Sequence, residues 1–370
     1  MTIGIDARMY KEGLGIGRYI EKLLHTLEQI ESNDRFVIFL TKRQWHVYRP
    51  TSRRFTKVLA DIPWYSWKEQ LVFPFIVARQ HVDLMHFPHF NVPLLYRGKM
   101  IVTIHDLIML HQSRSSRSAT TRGPLLHGIK YASYRFLLAW IAKHADTIIT
   151  VSHAVESDLV HMLGISPSLI HVIYEACDIP LLPAANGVLP ASVHTPFFLY
   201  AGNAYPHKNL ENLLAAMKIL SQQHKKLTLI LCGQEDSFYH TLQKTIAQQG
   251  LWRYVQHLGF VTDDTLHALY THARAVVLPS LQEGFGLPAL EAQARGVPVA
   301  ASRIPCLTEI LGDSALFFDP CNPQDMARTL EHISSDEKLR YTLQHRGAEN
   351  VRRFSWLTTA QQTYDLYSKN

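Results

Sequence analysis

The 370-residue chain is poor in cysteine and in charge, and it has no long apolar run. Its four cysteines (Cys177, Cys232, Cys306 and Cys321) are scattered, with no C-x-x-C pair and no metal-ligand spacing. That excludes a thiolate metal site and suits a reducing cytoplasm better than a disulfide-stapled secreted domain. Histidine is abundant, yet neither H-x-x-x-H nor H-E-x-x-H occurs, so no metal-binding helix motif is present. The longest apolar run, Phe136–Ala142, falls far short of the ~18 residues that span a bilayer. The opening MTIGIDARMY lacks the basic, apolar and cleavage regions of a signal peptide, so the expected location is cytoplasmic. With 47% apolar residues the chain has ordinary globular composition, which excludes disorder. Its length exceeds what one core comfortably supports, so two domains are expected.

What charge there is lies unevenly. Residues 1–150 hold 21 Lys and Arg against 11 Asp and Glu, a net +10, whereas residues 187–370 hold 16 of each and are neutral. A basic first half attracts an anionic acceptor or anionic lipid headgroups, and a peripheral contact with the inner face of the cytoplasmic membrane is expected from it. Nucleic acid is not expected, because no basic run with interleaved aromatics occurs.

Short β-rich runs alternate with amphipathic stretches almost from end to end, the pattern of parallel sheets with crossover helices. The first unit reads Thr2–Asp6 as strand, a Gly-rich loop to Gly17, and Arg18–Ile30 as helix. Strands follow at 36–40, 83–86, 100–104, 147–151 and 170–173. Residues 179–195, with three prolines and a glycine, break all periodicity and read as a linker. A second series then runs through strands 197–201, 227–232, 255–258, 275–279 and 297–301, with helices at 209–222, 238–248, 264–271 and 288–295. The reading is α/β, with two doubly wound Rossmann-like domains facing each other across a ligand cleft at the strands' carboxyl ends. The domains are 1–180 and 190–353, and the segment from Phe354 onward, about 355–370, is expected to pack back on the first.

The strongest local signal is SLQEGFGLPALEAQARG at 280–296, which follows the strand Ala275–Pro279. Gly284 and Gly286 allow a tight loop, Pro288 sits in the first turn of a helix, and Gly296 ends it. Strand, loop and helix N-terminus present unpaired N–H groups, a ready anion site. Glu283 and Glu291 flank that turn; beside a phosphate they would repel it, so they are assigned to sugar hydroxyls. A second element, GNAYPHK at 202–208, ends in Lys208, with Asn209 as the expected N-cap of the next helix and Glu211 in its first turn. A cation just before a helix N-terminus has the wrong sign for the dipole, which points to a compensating anion. His105-Asp106 closes the strand Met100–Ile104, and the Gly15-Ile-Gly17 loop precedes a helix.

These motifs resemble a known family. EGFGLPALEAQARGVPV looks like the E-x7-E signature of retaining, GT-B glycosyltransferases of family 4, close to the mannosyltransferase branch. The likeness extends over nearly the whole chain, through Ile5-Asp-Ala-Arg8 with Gly15–Tyr19, Thr103–Leu107, Thr150–His153, Tyr200–Asn203 with Pro206–Asn209, Gly259–Val261 and Phe354–Trp356. It implies that Glu283 contacts the donor sugar, that Glu291 binds ribose hydroxyls, and that the backbone of Gly284, Phe285, Gly286 and Leu287 holds the sugar or phosphate end. It assigns His105 to the donor sugar or the acceptor, and Gly15 and Gly17 to a turn by the donor phosphates. His86–Asn91 resembles an acceptor-side segment of the branch, or equally an aromatic loop packed on the core. Lys208 is the expected phosphate cation. The family usually adds an arginine five residues earlier, where this chain has Asn203; His207 and Arg18 are the side chains that could make good the charge.

With no D-x-D in the chain, no metal and no cofactor are expected, and the catalytic group is taken as His105, Lys208 and Glu283. The implied partners are a nucleotide-sugar donor, GDP-mannose by branch and UDP-sugars as the alternative, and a glycan or lipid-linked acceptor in polysaccharide synthesis. Two other functions fit the same fold: a sugar-nucleotide epimerase or hydrolase, and a non-catalytic nucleotide-sugar binder, which Asn203 would suit. The intact E-G-F-G-L-P-x-x-E segment favours transfer.

Overall fold

In the computed structural model the described residues are all but 12–14, 112–123, 179–187, 224–225 and 370. Most of the linker read from sequence therefore lies outside them. Two compact units emerge: one gathers Met1–His111, Leu125–Glu175 and the C-terminal Ser355–Asn370, and the other centres on Ala176–Phe354.

The first unit contains β1 (Thr2–Asp6), α1 (Ile16–Leu27), β2 (Arg35–Leu40), α2 (Lys42–Val47), β3 (Phe55–Leu59), α3 (Trp67–Leu71), α4 (Phe73–Ala78) and β4 (Leu84–Phe87). It continues with β5 (Met100–Ile104), α5 (Ile108–His111), α6 (Pro124–His144), β6 (Thr147–Thr150), α7 (His153–Leu163) and β7 (Ile170–Val172). All seven strands are parallel, in the order β3-β2-β1-β4-β5-β6-β7. β4, β5 and β6 are buried along their whole length, as expected of parallel strands covered on both faces. β3 escaped the sequence reading because FTKVL is an edge strand: only Phe55 is buried, and Lys57 turns outward to the carbonyls of Trp45 and Tyr48. The helix expected from Arg18 starts at Ile16, so Gly17 is not in the loop but in the first turn, buried; Gly15 occupies its N-cap position.

The second unit opens on β8 (Phe197–Ala201), α8 (Leu210–Gln223), β9 (Thr228–Cys232), α9 (Ser237–Gln248), β10 (Val255–His257), α10 (Asp263–His272) and β11 (Ala275–Leu278). It closes with α11 (Leu287–Ala294), β12 (Val299–Ser302), α12 (Pro305–Leu311), β13 (Leu316–Phe318), α13 (Pro323–Ser335) and α14 (Glu337–Val351). Its parallel sheet runs β10-β9-β8-β11-β12-β13. The chain steps from β8 outward to β10, then crosses back to place β11 on the other side of β8. The strand order thus reverses between β8 and β11, the position where open α/β sheets collect ligands. The last helix, α15 (Trp356–Lys369), belongs to the first unit and packs on α1. Its Ala360, Leu366 and Tyr367 join Ile3, Ile5 and Leu23 in one core, and the Tyr367 hydroxyl lies 2.6 Å from His86 Nδ1.

Candidate active site

The loops leaving β8 and β11 meet because short, specific contacts lock them. After β8, Gly202 crosses so close to Gly233 that a Cβ on Gly233 would lie 2.0 Å from the Gly202 carbonyl oxygen, so only glycine fits there. The chain then makes a single 3-10 turn, Pro206–Lys208, that ends on Asn209 in the left-handed region at φ 59°. Asn209 was expected to cap α8, but its buried side chain does something else. Its Nδ2 donates to the carbonyls of Pro279 and Pro320, each at 2.8 Å, tying the loops after β11 and β13 to this turn. Leu281 N–H donates to the His207 carbonyl at 2.7 Å, a further clamp between the β8 and β11 loops.

This clamp brings two of the three expected catalytic side chains together. Lys208 Nζ donates to Glu283 Oε1 at 2.7 Å, and Ser280 Oγ donates to the same oxygen at 2.7 Å. The pair is largely buried, at 18% and 11% exposure. The cation at the head of α8 is therefore balanced by Glu283, not left waiting for a diphosphate. Burial opposes ionisation of Glu283, but Lys208 and the Ser280 hydrogen bond outweigh it and hold the carboxyl below its ordinary range. Glu283 is an anion at neutral pH and cannot act as a general acid. Its Oε2 takes no hydrogen bond among the described residues, so that oxygen is open to a hydroxyl donor. Beneath the pair lies a cavity of about 10 Å3, room for one water at most, so a ligand meets both side chains from their solvent side.

His207 was one of two side chains offered in place of the missing arginine. It is buried, and burial together with Lys208 pushes its pKa down to about 4, so it is neutral and supplies no charge. Asn203 itself is exposed, with its Oδ1 3.4 Å from the Tyr205 nitrogen.

α11 opens as the glycine loop dictates. Gly286 adopts φ 92°, and a Cβ there would lie 2.6 Å from Leu307 Cδ2. The N–H groups of Gly286 and Leu287 take no acceptor among the described residues, which leaves two donors at a helix N-terminus. Phe285 is buried edge-on against Phe354 at 5.6 Å and anchors the loop from below. Glu291, one turn on, receives a long 3.4 Å hydrogen bond from the Tyr270 hydroxyl of α10. Ser280, Asn209 and their roles had no sequence signal: each acts through a partner whose position only the fold sets.

In the first unit, His105 is held between two acceptors, Glu175 Oε1 at Nδ1 and the Pro88 carbonyl at Nε2, both at 2.8 Å. Two acceptors require two N–H groups. Burial disfavours the resulting charge, but Glu175 outweighs it and the pKa is raised. Both ring nitrogens are thus engaged, and Tyr19 packs edge-on to the ring at 4.8 Å. Glu175 lies 70 residues away in sequence and was not foreseen. The His86–Asn91 segment runs from the end of β4 into the loop after it, and its polar side chains are paired: His86 bonds Tyr367 and Thr103, His89 bonds Tyr65, and Asn91 donates to Glu69.

Residues 15–180 match the model of Glycosyltransferase Family 4, and residues 184–350 match that of Glycosyl transferases group 1. The chain is 25% identical to the O-antigen chain mannosyltransferase RfbU of Salmonella typhimurium, over 88% of this chain and 89% of that protein. It is 31% identical to O-antigen chain mannosyltransferase B of Escherichia coli, over 60% of each. Among solved structures, Anabaena HepE in complex with UDP and glucose superposes with a TM-score of 0.75 at 20% identity, covering 100% of both chains. With both modules in sequence and the fold in common, the chain belongs to the family 4, group 1 glycosyltransferases of GT-B fold and is a sugar-transferring enzyme.

Proposed function

We propose that this enzyme transfers mannose from GDP-mannose, with retention and without a metal, to a glycan or lipid-linked acceptor of a cell-surface polysaccharide. The observation that carries the reading is the Lys208–Glu283 pair beside the open N–H groups of Gly286 and Leu287, at the strand-order reversal of the second sheet. The sugar and the acceptor class rest on the O-antigen mannosyltransferases to which the chain is similar over most of its length. Lys208 Nζ and the two N–H groups take the diphosphate oxygens, Glu283 Oε2 accepts from a hydroxyl of the donor sugar, and Glu291 accepts from the ribose. As the bond from the anomeric carbon to the diphosphate oxygen breaks, negative charge grows on that oxygen beside Lys208. The acceptor hydroxyl attacks from the same face and passes its proton to the departing phosphate, so no protein base is needed. His105, with both ring nitrogens engaged and its pKa raised by Glu175, is not assigned the role of a base.

The test is a thermal-shift panel of nucleotide sugars followed by NMR of the product. GDP-mannose should raise the melting temperature most, and the product should keep the donor's α configuration. A shift with UDP-sugars alone would end the mannosyl reading, and a β product would end retention.

A peripheral membrane contact belongs to the same proposal, and one surface of the first unit supports it. Trp67 and Phe75 are 66% and 68% exposed, with Leu71 and Val72 between them. Across residues 63–80 the only acid, Glu69, is buried on Arg8, while Lys68 and Arg79 are exposed. Apolar anchors beside basic side chains suit an anionic headgroup layer. No helix among the described residues is long and apolar enough to cross a membrane. Flotation with anionic liposomes should be salt-sensitive and weakened by Trp67→Ala with Phe75→Ala; absence of flotation with every anionic lipid would dismiss the contact.

A further inference from the structure

At the amino ends of the second sheet, away from the loops that carry Lys208 and Glu283, lies a pocket of about 310 Å3 whose lining includes Thr195, His272, Arg274 and Arg340. No Asp or Glu lines it. Arg274 enters β11 and is fixed there by its own N–H, which donates to the Phe197 carbonyl at 2.8 Å. Its guanidinium, in contrast, makes no hydrogen bond or ion pair among the described residues, and its Nε is buried without a partner. Arg340 Nη1 is pinned by the last carbonyls of α13, Ile333 at 3.1 Å and Ser334 at 2.7 Å. Its other N–H groups take no acceptor among the described residues.

Two guanidiniums in one pocket repel. After burial, Arg274 is the largest influence lowering the pKa of Arg340, offset by Glu337 and Asp336, neither of which lines the pocket. A buried N–H left without an acceptor is itself unfavourable, by roughly 1–3 kcal/mol. Like charges, an orphaned donor and open volume at one place are together relieved by a single bound anion. Guanidinium forks match the oxygens of a phosphate, and a pocket of this size holds a phosphate group with little more than a sugar attached.

We propose that Arg274 and Arg340 form an anion site for a small phosphate-bearing solute, distinct from the donor site. Arg274 leads into the strand that delivers Glu283, and Thr195 lies just before the strand that delivers the Lys208 loop. An anion there ties together the starts of the two strands whose far ends carry the catalytic pair.

The test is thermal unfolding with inorganic phosphate, and separately with hexose 1-phosphate, against sodium chloride at matched ionic strength. Wild type should gain stability with phosphate beyond the chloride control. Arg274→Gln should weaken the apparent affinity at least tenfold, while Lys208→Ala keeps it, because the donor site is not involved. A gain seen with hexose 1-phosphate but not with inorganic phosphate still supports the site, provided Arg274→Gln abolishes it, and adds a sugar contact. If Arg274→Gln does not fold, Arg274→Lys, which keeps the charge but not the fork, is measured instead and should show the same loss. The proposal is overturned if neither inorganic phosphate nor hexose 1-phosphate acts better than chloride, if the Arg274 variant keeps wild-type affinity, or if Lys208→Ala abolishes the effect.

Discussion

Replacing Lys208 by methionine separates what the Lys208–Glu283 pair does for the fold from what it does for the reaction. The substitution keeps the length of the side chain but leaves Glu283 with Ser280 as its hydrogen-bond donor. Breaking a fully buried pair costs about 3–5 kcal/mol. At 18% and 11% exposure the pair keeps some solvent, so roughly 1–3 kcal/mol is the better figure. For a unit of this size that lowers the melting temperature by on the order of 5 °C. The catalytic loss is larger and of different origin. On the proposed reaction Lys208 faces charge that grows only as the diphosphate leaves, and removing one such preorganised group costs about 2.7–4 kcal/mol, or a hundred- to a thousand-fold in kcat. Lys208→Met combined with Glu283→Gln removes the stranded carboxylate, so it should regain most of the melting temperature and none of the rate. The assays are steady-state kinetics with the identified donor, calorimetric melting, and a chelator control. A Lys208→Met enzyme with kcat near wild type, a double variant that regains activity, or activity abolished by chelation would each refute the reasoning.

Asn209→Gly keeps the left-handed backbone but loses the two bonds to Pro279 and Pro320, and should cost about 1–3 kcal/mol in a melting experiment; Asn209→Ala should cost more, since alanine resists φ 59°. Gly286→Ala meets both a φ of 92° and the Leu307 side chain, so melting and donor affinity should both fall, and Leu307→Ala should recover only the steric part. His86 and His89 are held neutral with pKa values lowered by burial to about 3, and His207 likewise to about 4. The unfolded chain therefore binds more protons from pH 6.5 down to these values: their contribution is full above pH 6.5 and lost as pH falls, by up to ~3–5 kcal/mol each. His105, with a raised pKa, has the opposite sign: its contribution is complete below pH 6.5 and fades as pH rises through the folded value. A melting temperature that stays flat from pH 7 to pH 4 would contradict the acid branch.

Much of what the chain encodes locally was legible in it, though the elements between 301 and 354 were not read. β8, β11 and α11 follow from apolar runs, two glycines and a proline within a few residues of one another, and the E-x7-E segment placed the candidate site on them. What was not legible depends on partners far apart in sequence. Lys208 and Glu283 are 75 residues apart, and nothing in either motif says that one neutralises the other. Asn209 has the side chain of a good N-cap, but a left-handed backbone turns it toward two carbonyls that the fold brings from other loops. His207 counted as a possible cation until its burial was known. β3 was missed because an edge strand needs only one buried face, and the Trp67–Phe75 segment because its apolar side chains face outward against the usual pattern.

The charge balance of the site explains how it can work with Asn203 in place of an arginine. Lys208 and Glu283 cancel, and His207 is neutral, so these side chains present no net positive charge to a diphosphate. Ground-state attraction then falls to the N–H groups of Gly286 and Leu287, which are weaker than a second cation but fixed in direction. Glu283 costs the site attraction and returns rigidity: its Oε1 accepts from both Ser280 Oγ and Lys208 Nζ, which fixes the cation, and on the proposed reaction Oε2 is the oxygen left for a sugar hydroxyl. A cation held in place by a carboxylate need not reorganise when charge develops on the leaving oxygen, and preorganisation of this kind lowers the barrier more than it tightens binding. On the proposed reaction the site trades donor affinity for a poised transition state: Lys208→Met alone should lower kcat and also raise KM through the stranded Glu283 carboxylate, whereas with Glu283→Gln added the loss should appear in kcat and much less in KM.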